Sequence, residues 1–237
     1  MFERNNHFLD TNVIIGYSVK WDTHSNTCKS YFTEIKNNRC NLHTSITVEN
    51  EARKVIEECR RLVLQAIDIL SSSFSPRDMT QINNDLFNFL TRQFSDEERF
   101  SAMKSYIEYK SMKIRNLLLN GRSLDELIPE VREDFKNPIQ FLNVIKNDQK
   151  CSPINLSYKT LNNYSTEYPQ KYNTLDTMME NKKDRDIAFD AYHLMCDEEF
   201  DEIVLSSFDS DFVDDDFKPN IEGILEGLII FNLLTYN

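Results

Sequence analysis

No run of apolar residues in this chain approaches the ~20 that a bilayer-spanning helix needs, and the first dozen residues lack the basic-then-apolar layout of a secretory leader. The expectation is a cytoplasmic protein with no membrane partner. Glycine (4) and proline (6) are scarce in 237 residues, which excludes collagen-like and Pro/Gly-rich disordered chains. Cysteine is odd in number, at five, and forms no CxxC pair, so neither a disulfide framework nor a zinc ribbon is expected. Histidine is rarer still: His7, His24, His43 and His193 show no HxxxH or HExxH spacing. Any metal would therefore sit on oxygen. Positive charge is also short, with 27 Lys and Arg against 39 Asp and Glu and a net charge of −12, which argues against a protein that coats nucleic acid through bulk charge. A nuclease is not excluded, because carboxylates that gather divalent cations add the very charge that the ions then offset.

What is present is an alternation of strand and helix. Apolar runs at 7–15, 40–46, 202–206 and 228–231 predict four short buried strands. Helical spacing covers 25–35, 48–70, 184–196 and, after a turn, 209–223. Between the two halves, 76–145 is helical throughout, with breaks expected at Pro76, Asn120-Gly121, Pro129 and Pro138. The stretch 151–176 has weak periodicity and reads as irregular. The fold class is α/β: a parallel sheet flanked by helices on both faces, with an inserted, mainly α-helical subdomain. The expected division is 1–72 and 181–237 for the core and 73–180 for the insertion.

In such a sheet ligands bind beyond the carboxyl ends of the strands, so acids there are informative. Asp10 lies within or near the end of the first strand, Asp209 and Asp211 follow the strand at 202–206, and Asp184 opens the helix before it. Glu51 lies in the first turns of the helix after the second strand, where helical angles leave Glu49 an equal competitor. Asp190 stands 240° from Asp184 around an ideal helix, and Asp186 about 200°, which makes Asp186 a solvated residue. For any one of these acids the plain alternative is capping, since a carboxylate at a helix start accepts backbone N–H bonds.

The surroundings of the acids add to this. FLDTNVIIGY (8–17) resembles the opening motif of PIN-domain nucleases, an apolar strand running into Asp-Thr-Asn. TSITVENEA (44–52) is similar to that family's strand-to-helix passage, whose acid follows the strand-terminal serine by six positions; this spacing selects Glu51. KKDRDIAFDA (182–191) resembles the third motif through Asp184, Ile187 and Ala188, and IVLSSFDSDF (203–212) the fourth through Asp209. The resemblance implies a PIN-like fold and a metal-dependent endoribonuclease, a hydrolase of RNA phosphodiester bonds. In it Asp10, Glu51, Asp184 and Asp209 are catalytic and, with Asp211, hold one or two Mg²⁺ or Mn²⁺ ions. Thr11, Asn12, Ser207 and Asp190 would orient these acids. Family roles include toxins, RNA processing and defence, and the resemblance leaves room for a homo-oligomer and for an inhibitory or activating protein partner. The alternative is a non-catalytic PIN-like scaffold that binds a protein partner, against which stands the survival of an acid at all four motif positions. An aspartyl-transfer phosphatase is disfavoured, because Asn12 occupies the place of its second Asp.

The middle of the chain reverses the charge. Residues 99–122 carry Arg99, Lys104, Lys110, Lys113, Arg115 and Arg122 against Glu108 alone. On one helical wheel Arg99, Tyr106, Lys110 and Lys113 share a sector, which offers a rail for the RNA backbone with an aromatic for stacking; an ordinary solvated flank is the plain alternative. Tyr158, Tyr164, Tyr168 and Tyr172 offer either stacking platforms or a covering of the core. His193 and Cys196 are assigned no role, and Trp21 reads as a packing residue.

Overall fold

The computed structural model describes residues 6–73, 82–95, 99–147, 151–154 and 161–236. The elements run β1 (Asn6–Leu9), α1 (Thr11–Ser18), α2 (Ser25–Asn37), β2 (Asn41–Ser45), α3 (Ile46–Ser73), α4 (Ile82–Phe94), α5 (Phe100–Tyr109), α6 (Ser111–Leu119) and, after a 3-10 turn, α7 (Ile128–Asn147). Then come β3 (Cys151–Ile154), α8 (Leu161–Glu167), α9 (Pro169–Met178), α10 (Lys182–Asp197), β4 (Ile203–Ser207), α11 (Ser210–Val213), α12 (Lys218–Ile224) and β5 (Leu228–Asn232). The chain forms two compact units: Met1–Ser18, His24–Ala52 and Phe141–Asn237 in one, Val19–Thr23 and Arg53–Gln140 in the other. The short stretch Val19–Thr23 belongs to the second unit, the later divisions fall inside α3 and inside α7, and β3, α8 and α9 belong with the sheet, so these boundaries differ from the expected 1–72, 73–180 and 181–237.

The first unit is α/β, a parallel sheet flanked by helices. Its strands lie in the order β3-β2-β1-β4-β5, and every neighbouring pair is parallel. All five residues of β4 are buried, as a strand with a neighbour on each side and helices against it requires, whereas β5 at the edge alternates between buried and half-buried. The chain leaves β1 towards β2 and β3, then crosses back to place β4 on the other side of β1. The connections therefore diverge between β1 and β4, and that divergence opens a crevice at the carboxyl ends of the strands. Leu9 is in register with Ser206 across this gap, so the residues that follow each strand emerge side by side.

Several expectations need correction. The strand predicted at 7–15 stops at Leu9, because Asp10 caps α1 and Val13 and Ile14 are buried on a helix; a buried helix and a buried strand both read as a short apolar run. The stretch at 151–176 contains a fifth strand and two helices. β3 escaped because Pro153 sits in an edge strand, where a missing N–H is tolerated, and α8 and α9 because their packing is aromatic rather than aliphatic. Pro138 lies inside α7, and Pro129 occupies its first turn, where the N–H is unused. The final strand is only partly buried, being an edge.

One backbone position before β5 is specific to glycine. Gly227 has φ +90°, and a Cβ there would lie 2.7 Å from Met195 Sδ and 3.0 Å from the Asp201 carbonyl oxygen, while its own carbonyl accepts the Ile203 N–H at 3.0 Å. Gly227→Ala is expected to destabilise the sheet unit by roughly 2 kcal/mol, through strain and displacement of Met195, as read by thermal unfolding. An unchanged midpoint would contradict it.

The second unit is helical among its described residues. Its aromatic centre places Trp21 at 4.8 Å from both Tyr106 and Phe135 by ring centroids, so Trp21 is a packing residue.

Candidate metal centre

Asp10, the residue after β1, is 2% exposed, and its carboxylate is held on both oxygens. The Thr11 N–H donates to Oδ1 at 2.6 Å and the Ser207 hydroxyl donates to Oδ2 at 2.5 Å. Ser207, the last residue of β4, accepts in turn from the Asp209 N–H at 2.8 Å and from Asn12 Nδ2 at 3.4 Å. Asn12 Oδ1 accepts the Phe208 N–H at 3.2 Å. Thr11, Asn12 and Ser207 thus tie the turn after β1 to the turn after β4. The Thr11 hydroxyl also donates to Glu51 Oε2 at 2.8 Å, which brings the first turns of α3 to the same point.

Asp184 enters from the first turn of α10, whose N-cap is Asn181. It is 5% exposed, and its Oδ2 is buried without a hydrogen-bond partner. Leaving a buried carboxylate oxygen unpaired is costly, and native proteins rarely do so without a reason. One oxygen from each of Asp184, Asp209 and Asp211 lies within 4.8 Å of the others, Asp184 being buried and the other two half-buried. Asp209 is also a helix cap, since its Oδ1 accepts the Asp211 N–H at 3.0 Å. Capping and clustering are thus compatible in one residue.

The electrostatics match the geometry. Burial, then the charges of Asp209, Asp10, Asp211 and Glu51, push the Asp184 carboxyl up to about 8. Burial and, more weakly, Asp209 and Glu51 push Asp10 up to about 7 against the hydrogen bonds from Ser207 and Thr11. Asp211 is raised by burial and by Asp209. Among the described residues the one cation paired with these five acids is Lys183, whose Nζ lies 3.3 Å from Glu51 Oε1.

Three acids converging through oxygen alone, one of them with an orphaned buried oxygen, form a set that can hold a metal ion. A hard divalent cation suits it better than a soft one, because no nitrogen or sulfur donor takes part. No family model, curated protein or solved structure matches this chain.

Other candidates lie elsewhere. Asp190 is 2% exposed and is not one of the three acids whose oxygens meet, though its Oδ2, like that of Asp184, is buried without a hydrogen-bond partner. Tyr164 donates to its Oδ1 at 2.6 Å, and the hydroxyls of Ser45 and Thr47 also bond to it, so it fixes α10 against the β2–α3 passage that carries Glu51. Burial raises its carboxyl. Asp186 is not solvated: it is 9% exposed and accepts from Arg185 at 2.8 and 3.0 Å, with burial first among the causes that push it up to about 6. Tyr164, Tyr168 and Tyr172 pack against Phe189, covering the core, and Tyr158 lies outside the described residues.

The basic rail is not formed. Tyr106 is 1% exposed, with its hydroxyl donating to Asp134 at 2.9 Å. Lys110 is buried between Glu130 and Asp134 at 2.6 and 2.7 Å, Lys113 also pairs with Glu130, and Arg99 pairs with Glu58 at 3.6 Å. The wheel assumed one helix, whereas Lys110 separates α5 from α6, and it could not show acids arriving from α3 and α7. Lys183 is the site residue that sequence reasoning passed over. Its signal was two lysines opening a helix, where the macrodipole disfavours cations.

Proposed function

We propose that this chain is a PIN-like, metal-dependent endoribonuclease. Asp10, Glu51, Asp184 and Asp209, with Asp211, would hold one or two Mg²⁺ or Mn²⁺ ions. The observation that carries this reading is the cluster of Asp184, Asp209 and Asp211 beside the carboxyl end of β4, including the orphaned Asp184 oxygen, with Asp10 and Glu51 tied to the same turns through Ser207 and Thr11. Capping alone would account for Asp10 and Asp209 but not for Asp184 or Glu51. RNA as the substrate follows from the resemblance of the four motifs, as do the family roles of toxin, processing factor and defence nuclease.

A bound divalent ion supplies Lewis acidity at such a centre, lowering the pKa of water and offsetting charge on a phosphodiester. The chain's own residues do the positioning. Ser207 and the Thr11 N–H fix Asp10, the Thr11 hydroxyl fixes Glu51, and Asp209 is held by its own cap to Asp211. An acid set fixed before substrate arrives spends no energy on reorganisation during the reaction.

The test is incubation of a mixed cellular RNA pool with the full chain in Mn²⁺, in Mg²⁺ and in chelator. Cleavage with either ion, lost in chelator, is expected, and the fragment ends would identify the target. Failure of the wild type both to cleave and to bind either ion would overturn the reading and favour a scaffold.

A further inference from the structure

We propose that Lys183 is a phosphate-binding residue of the same centre, held by Glu51 until a divalent cation takes over that carboxylate. This rests on the nuclease reading above and names the part of the substrate, the RNA backbone phosphate, that this chain's own cation contacts.

Lys183 immediately precedes Asp184, and its backbone is anchored, its N–H donating to Asn181 Oδ1 at 3.1 Å. Its ammonium reaches Glu51 Oε1 at 3.3 Å, with the lysine side chain 53% and that of Glu51 17% exposed. The opposite oxygen of Glu51 accepts from Thr11, next to Asp10, so the ammonium sits at the rim of the acid cluster. The helix gives no reason for it to be there. Cations in a first turn oppose the macrodipole, and the neighbouring Lys182 is absorbed by Asp176 at 2.8 Å, away from the site. A cation placed against a local rule, beside acids that pair with no other cation among the described residues, marks a position where function outweighs propensity.

The pair is suited to exchange. An ion pair this exposed is weak and screened, so a doubly charged cation competes for Glu51 on favourable terms. The freed ammonium is a compact point charge with three donors on a flexible stem, which matches a phosphate oxygen without demanding a fixed geometry. In the metal-free protein Lys183 tempers the repulsion among the acids; once metal is bound it faces the anionic substrate.

The two roles give opposite signs in one variant. For Lys183→Gln, Mn²⁺ binding in the absence of RNA, counted by the free-ion spin resonance signal, is expected to tighten about three- to tenfold, because a competing charge is gone. For an unstructured 20-nucleotide RNA, kcat/KM is expected to fall about tenfold, and its salt dependence to flatten by ~0.7 in log–log slope, the signature of one lost phosphate contact. Lys183→Arg, which keeps the charge, should hold both values near wild type. Mn²⁺ affinity that is unchanged or weaker in Lys183→Gln would overturn the inference, as would tighter Mn²⁺ binding with unchanged kcat/KM. A wild type that binds no Mn²⁺ would remove the nuclease reading and this inference together; Mn²⁺ binding that ignores Lys183 removes this inference alone.

Discussion

Asp184→Asn is expected to unfold at a higher temperature than the wild type in chelator at pH 8, and to cleave RNA with Mn²⁺ at no more than about one per cent of the wild-type rate. The two effects share one cause. Asp184 carries a carboxylate whose Oδ2 is buried without a partner and which faces the charges of Asp209, Asp10, Asp211 and Glu51. At pH 8 the metal-free fold either ionises this group against that field or keeps it protonated, and each choice costs stability relative to the unfolded chain. An amide removes the charge at nearly constant volume, so the variant gains on the order of 1–3 kcal/mol in the absence of metal. The same change removes a ligand oxygen from the triad of Asp184, Asp209 and Asp211 and reduces the charge that attracts a cation. Thermal unfolding in chelator and cleavage in Mn²⁺ check the two halves. A variant less stable than wild type in chelator would mean that Asp184 is a structural anchor instead.

The second large effect is a pH dependence whose sign metal reverses. Asp10 and Asp184 have folded-state values raised from 3.8 to about 7 and about 8. Between these limits the folded chain binds more protons than the unfolded chain, so their contribution to stability is fully present below 3.8 and is lost as pH rises through 7 to 8. For two coupled groups the loss is on the order of 5 kcal/mol across that window. At the acid end a paired group works the other way. Glu130, held below its ordinary value by Lys110 and Lys113, stabilises above that value and ceases to do so as pH falls. The metal-free protein is therefore expected to be most stable near pH 5 and to weaken towards pH 8. A divalent cation binds the deprotonated acids and expels their protons, so the stabilisation it brings should grow with pH. Calorimetry at pH 5, 6.5 and 8, with Mn²⁺ and with chelator, reads both trends. Metal-free stability that rises from pH 5 to 8 would contradict the burial of these carboxylates in a charged cluster.

The site was legible in the sequence to the extent that its residues lie where a local pattern changes. Asp209 comes just after an apolar run, and a strand followed by an acid and a helix is visible there within ten residues, whereas Asp10 sits inside an apolar run that reads as one strand from 7 to 15. The choice of Glu51 over Glu49 had no such mark. On one helix the two sit at similar angles, and what distinguishes Glu51 is a hydroxyl from Thr11, forty residues earlier, together with Lys183 from another helix. The rail of Arg99, Tyr106, Lys110 and Lys113 failed for the same reason in reverse, since the acids that neutralise it come from α3 and α7.

Periodicity and punctuation along the chain were thus enough for the α/β class, the parallel strands, the helical middle and the acids at strand ends. The elements and the acids at their ends follow from the rise and twist of single elements and from which of their faces is apolar, and the parallel direction from the alternation of strand and helix. Pairing across elements had to come from the fold. It joined Ser207 to Asp10, left Asp184 Oδ2 without a partner, brought Asp184 up to Asp209 and Asp211 and set Lys183 against Glu51. Those relations depend on distances between atoms far apart in the chain, and burial and charge act through such distances whatever the separation in sequence.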